Sequence, residues 1–131
     1  MKPKKQKKQR PNVHTTFQLS DDACRALADA LLFLLSLEGF SFEDAKISYD
    51  SASSAEDKLF DKDTTLTRGE VRATAKAIDI VLQEIPANVS NYSYMETDNP
   101  NILADLEKDI PIFEELQSVF ALVVKDLRKM K

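Results

Sequence analysis

Residues 66–86 read LTRGEVRATAKAIDIVLQEIP, and this stretch decides the fold class. Thr67-Arg68-Gly69-Glu70 has the spacing of a capping box: the Thr hydroxyl takes the N–H three residues on, and the Glu carboxylate reaches back. Leu66 and Val71 flank the box as a hydrophobic staple. Val71, Ala75, Ile78, Leu82 and Ile85 then recur at steps of 4, 3, 4 and 3, which places them on one helical face. Pro86 lacks an N–H, so the spacing predicts a helix over 68–85.

The same punctuation recurs on both sides. Ser20 is an N-cap, with Asp21 and Asp22 at the positive end of the helix dipole, and Gly39 suits the residue after the last turn. A helix over 21–38 follows. Its only polar stripe is Asp22, Arg25, Asp29 and Ser36, so it is expected to be central or to contact another chain. Asp109 opens the last helix, 110–129, with Pro111 tolerated in its first turn. Ile112, Leu116, Val119, Val123, Leu127 and Met130 form its stripe, and residues 119–124 are apolar on every side. Their β-branched content makes a buried strand the minority reading. Ser41 with Asp44 marks a short helix over Phe42–Ile47, and Asn99-Pro100 another to about Lys108. Residues 49–54 (YDSASS) read as loop, and 55–60 as one or two turns capped by Ser53 or Ser54. Residues 13–19 alternate, but a lone strand has no partner, so an extended lead-in is expected. The prediction is an all-α bundle of three main helices with short ones between.

Composition narrows the class further. One domain is expected from 131 residues, 43% of them hydrophobic, and only 2 glycines argue against an all-β fold. One Cys excludes a disulfide framework and a Cys-based zinc site. One His makes a His-dependent nucleophile system a poor choice. Glycine-rich phosphate loops are absent. Cys24 is expected to be a small buried hydrophobe, and His14 a surface residue. No catalytic residue, metal ligand or cofactor is assigned, and a non-enzyme is expected.

Charge is unevenly placed. Residues 1–12 hold six cations, Lys2, Lys4, Lys5, Lys7, Lys8 and Arg10, and no acid. Residues 13–124 hold 8 cations against 21 acids, a net −13. The segment 1–12 has almost nothing to bury and is predicted to be a disordered tail ahead of an acidic domain over 13–131. No apolar stretch follows the basic start, and the longest apolar run falls short of a membrane span. The expectation is a soluble cytoplasmic protein without membrane contact, with oligomerisation open.

The segment Phe60–Val71 (FDKDTTLTRGEV) resembles the loop of the EF-hand family, in which two helices flank an Asp-rich calcium loop. Asp61 and Asp63 match its first and third ligand positions, and Thr65 its fifth. It departs from the pattern at Leu66, where the family has Gly. Glu70 falls tenth, and Arg72 stands in the twelfth place. Calcium needs 6–8 oxygens, which so short a loop does not supply. The resemblance implies a degenerate calcium loop. The residues themselves read as a polar turn ending in the capping box.

Residues 86–99 (PANVSNYSYMETDN) show no period, and a 14-residue connection of this kind is often functional. Tyr92, Tyr94 and Met95 lie there with Glu96 and Asp98, a composition suited to contact surfaces. The functional expectation is therefore a non-enzymatic protein of inhibitor, immunity or adaptor type. Its partner is a protein with a basic surface, engaged through the acidic helices and through Tyr92, Tyr94, Met95, Glu96 and Asp98. The alternative is weak nucleic-acid contact through Lys4, Lys5, Lys7, Lys8 and Arg10, salt-dependent and without sequence reading.

Overall fold

A computed structural model describes residues 14–37, 39–92 and 102–129. Their order is β1 (His14–Thr16), α1 (Asp21–Ser36), α2 (Phe42–Ala45), α3 (Tyr49–Phe60), β2 (Thr65–Thr67), α4 (Arg68–Tyr92), α5 (Ile102–Lys108) and α6 (Ile110–Lys129). The fold is a helical bundle, as the sequence predicts. Among the described residues no helix is long and apolar enough to cross a membrane.

The caps act as the sequence indicates. Ser20 accepts the Ala23 N–H at 3.1 Å, and Ser41 accepts that of Asp44 at 3.1 Å. Thr67 Oγ1 accepts the Glu70 N–H at 3.2 Å, while Glu70 Oε1 accepts the Thr67 N–H at 2.8 Å, closing the capping box in both directions. Leu66 and Val71 are both fully buried, as a staple requires. Helix α1 buries nine side chains and packs against α3, α4, α5 and α6, the central place its apolar surface demands. Helix α4 is its partner and also packs against α3, α5 and α6.

Four expectations are corrected. Residues 49–54 are helix rather than loop: Ser48 accepts the Ser51 N–H at 2.9 Å and starts α3 a full turn and a half early. Ala52, Ala55 and Leu59 form its buried stripe, too weak in hydropathy to announce itself but small enough to let α3 lie close to its neighbours. That closeness also shows at Gly69, where a Cβ would come within 2.6 Å of Ser51 Oγ. The lead-in does find a strand partner: His14, Thr15 and Thr16 pair antiparallel with Thr67, Leu66 and Thr65. Phe17 extends this ladder to the Thr64 carbonyl at 3.0 Å and stacks on Phe120 of α6 with centroids 4.4 Å apart. Helix α4 runs through Pro86 to Tyr92 instead of stopping at residue 85. Proline forfeits a single intrahelical bond there, and Val81 and Ile85, fully buried just before it, anchor the turn it follows. Half of the presumed 86–99 connection is therefore helix. Finally α2 stops at Ala45, because Lys46 adopts a left-handed φ of 61°.

The apolar stretch of the last helix is helical, not a buried strand, and α6 is peripheral. Val119 and Leu122 remain 42% and 63% exposed, while Phe113 and Phe120 enter the core.

Candidate functional site

Helix α3 has two faces. Ala52, Ala55 and Leu59 are buried. Tyr49, Ser53, Glu56 and Phe60, spaced 4, 3 and 4 apart, make a second stripe, half-buried in the middle at Ser53 and Glu56 and with an exposed aromatic at each end. Phe60 is 73% exposed and Tyr49 56%. The two lie about 16 Å apart along the axis at the helical rise per residue. Tyr49 continues into an aromatic group: its ring centroid is 5.5 Å from that of Phe42, which meets Phe40 edge-on at 4.8 Å.

Carboxylates surround the Phe60 end. Burial pushes the Glu56 carboxyl up, and the neighbouring charge of Asp57, then Asp29 and Asp61, adds to it. Asp29 of α1 is raised to about 6, first by burial; Arg25 opposes the shift, and Asp105 and Asp109 reinforce it. The acids thus form one band from the end of α3 across α1 to the α5–α6 junction. Arg25 is the cation set into it, with Nη1 3.4 Å from Asp29 and 3.3 Å from Asp109. The Asp109 carboxylate, buried and expected to cap the last helix, turns instead to Arg25; its backbone carbonyl accepts the Ile112 and Phe113 N–H groups.

Beside Phe60 lies an open depression of about 290 Å³ lined by Asp21, Asp22, Arg25, Leu59, Phe60 and Lys62. Lys62 Nζ is 3.5 Å from Asp21, a solvent-exposed and correspondingly weak pair. Cys24, in the same turn of α1 as Asp21, is buried, and its thiol is pushed up by that burial and by Asp21, which disfavours the nucleophilic thiolate. Its floor is apolar and its rim carries both signs, Asp21 and Asp22 beside Arg25 and Lys62, so an alkyl stem with a cationic head fits it on the Asp22 side.

The acid-rich loop at 61–70 is organised by a lysine. Glu70, 4% exposed, accepts from Ser54 Oγ at 2.5 Å, Lys58 Nζ at 2.8 Å and the Thr67 N–H. Lys58 Nζ also donates to the Thr65 carbonyl at 3.3 Å, so its ammonium sits on two oxygens of the sort a loop-bound cation would use. These bonds hold the Glu70 carboxyl below its usual range despite its burial, the Lys58 bond being the strongest of them. Asp63 Oδ1 accepts the Thr65 N–H at 3.1 Å, and Asp61 caps α3. Among the described residues no group of three or more His, Cys, Asp or Glu is placed to hold a metal ion.

Of the predicted contact residues, Tyr92 ends α4, while Tyr94, Met95, Glu96 and Asp98 lie outside the described residues. Lys4, Lys5, Lys7, Lys8 and Arg10 lie outside them as well. The Phe60 face was not singled out from the sequence. Its signal was present in the run Glu56-Asp57-Lys58-Leu59-Phe60-Asp61, an aromatic between acids, but reading it required the full length of α3. No family model, curated protein or solved structure matches this chain.

Proposed function

We propose that the protein is a non-enzymatic binding or regulatory protein whose α3 face receives a basic segment of a protein partner. The observation that carries this reading is Phe60, 73% exposed on a regular helix and bordered by Glu56, Asp57 and Asp61. An aromatic in the middle of a contact supplies desolvated area, where binding energy concentrates. Carboxylates around it set encounter rate and select a cationic partner. The depression next to Phe60 accommodates a Lys or Arg stem on Leu59 and Phe60, with its head toward Asp22. Tyr92, Tyr94, Met95, Glu96 and Asp98 are proposed as a second contact element.

The test is a pull-down from the native cell with the wild type, Phe60→Ala, and a Glu56→Gln/Asp57→Asn double variant, each first shown to melt like the wild type. The expected result is a nuclease-insensitive partner that is lost with Phe60→Ala and associates more slowly with the double variant. A partner retained equally by all three proteins would refute the site. Loss with Tyr92→Ala alone would move the contact to the end of α4.

A further inference from the structure

The described chain begins at β1, with His14 opposite Thr67, and the six cations at positions 2–10 stand immediately before it. We infer that this basic segment docks on the outward face of α3 of its own chain, with its Lys and Arg side chains against Phe60 and the carboxylates beside it. The segment is then a built-in competitor for the proposed partner, so the inference rests on the reading of this face as a receptor for basic chain.

Three observations support it. The first is the face itself. The Tyr49 and Phe60 rings are more than half exposed, and the half-buried Ser53 and Glu56 lie on the same helical stripe between them. An ammonium or guanidinium gains from an aromatic ring face as well as from a carboxylate. The second is charge. The two cations lining the depression already have acids of the body as partners, Arg25 with Asp29 and Asp109, and Lys62 with Asp21. Glu56, Asp57 and Asp61 lie at the end of one helix, and the Glu56 carboxyl, pushed up first by burial, is pushed further by Asp57, Asp29 and Asp61. A basic segment placed among them relieves that repulsion.

The third is reach. The ladder places Phe17 beside Thr64, and Thr64 is four positions along the chain from Phe60. At about 3.3–3.6 Å per extended residue, the path from His14 to Phe60 is at most about 30 Å. Lys4 and Lys5 are ten and nine residues before His14, so they span that distance, and Lys7 and Lys8 reach the nearer carboxylates. A short tether gives an effective concentration in the millimolar range, enough for contacts that would be negligible between separate molecules. Such docking is electrostatic and is screened within about 8 Å at physiological salt.

The experiment compares ¹⁵N–¹H spectra of the full chain and a form lacking residues 2–11, in about 20 mM and 300 mM salt. At low salt, shift differences are expected at residues 21–25 and 56–62 and to be absent at high salt. A synthetic peptide of residues 1–12, added in trans to the deleted form, should move the same amides in the same direction. Phe60→Ala should shrink these shifts at unchanged melting temperature. If a basic peptide competes for the face, deleting the tail should raise its affinity about two- to tenfold, the factor expected when a half- to nine-tenths-occupied site is freed. Spectra that differ only within two or three residues of His14 overturn the inference. Shifts that grow with protein concentration overturn it in favour of docking on a second copy. Shifts confined to α6 or spread over the whole surface overturn it as well. Binding of a DNA or RNA oligonucleotide by the full chain, with the 56–62 amides unmoved by tail deletion, would assign the tail to nucleic acid instead. All of these readouts need no partner, so superposable spectra leave the partner reading standing, and a failed pull-down leaves the tail contact standing.

Discussion

Replacing Glu70 with alanine removes the one acceptor that Ser54, Lys58 and the Thr67 N–H share. Three donors from α3 and β2 then face a void under a residue that is only 4% exposed. Breaking a buried ion pair by deleting one partner costs about 3–5 kcal/mol. Lys58 retains 28% side-chain exposure and recovers part of its hydration, which places Glu70→Ala near about 3–4 kcal/mol. An unfolding entropy of about 2.1 cal/mol/K per residue over this chain makes each kcal/mol worth about 3.5 °C, a fall of roughly 10–14 °C. Lys58→Met leaves the carboxylate with two donors and should cost less, about 2 kcal/mol. The double variant Lys58→Met/Glu70→Met should lose less than the two single changes together, because an apolar pair does not strand a charge. Urea unfolding at pH 7 measures all three. The acid limb supplies an independent check. The Glu70 pKa is lowered in the folded state, so its stabilisation is full above the unfolded value, 4.5, and is lost as pH falls through the folded value. Glu70→Gln should flatten stability against pH in that window. Unfolding midpoints for Glu70→Ala and Lys58→Met within about 0.5 kcal/mol of the wild type would refute the reasoning, as would an acid limb unchanged by Glu70→Gln.

Asp29 has the opposite sign. Its folded pKa is raised to about 6 from 3.8, so the charge it carries at pH 7 works against folding, and stability declines as pH rises through that interval. Asp29→Asn should stabilise by about 1–2 kcal/mol at pH 7 and by nothing at pH 3.5, read by urea midpoints at the two pH values. Thr67→Ala removes the cap of α4 and should cost about 1 kcal/mol at every pH, whereas a neutral result would mean that Glu70 alone holds the helix start. Millimolar calcium should leave the wild-type melting temperature unchanged, because Lys58, Ser54 and Thr67 already take the Glu70 oxygens. A rise that disappears in Asp61→Ala would place the metal in the 61–70 loop after all.

Where a helix start has a side chain that satisfies its own free N–H groups, it can be read locally, because capping is a transaction between residues three apart. Ser20, Ser41 and the Thr67/Glu70 pair are of this kind, and the long apolar stripes behind Ser20 and Thr67 mark which helices build the core. The all-α class and the central place of the first helix were legible for that reason. So was the split between a basic segment and an acidic body, which is a matter of composition alone.

The tertiary structure decided what depends on a neighbour. Helix α3 is held by alanines, whose apolar signal is faint in sequence and whose small size counts only once α1 and α4 lie against them. β1 needed a partner about 50 residues along the chain, Thr65–Thr67, because strand hydrogen bonds are satisfied by another strand and never within one. Pro86 forbids one hydrogen bond, which a helix anchored on both Val81 and Ile85 can forgo. Glu70 looked like half of a local capping box and became the shared acceptor of α3 and β2 when Ser54 and Lys58 folded over it. Arg25 and Asp109 are 84 residues apart, and their pairing, like the gathering of acids around Phe60, exists only because α1 brings the ends of α3 and α5 to one surface. A sequence states each side chain's charge and size; which charges share a face is set by packing, because Coulomb interactions act through space over distances that chain separation does not record.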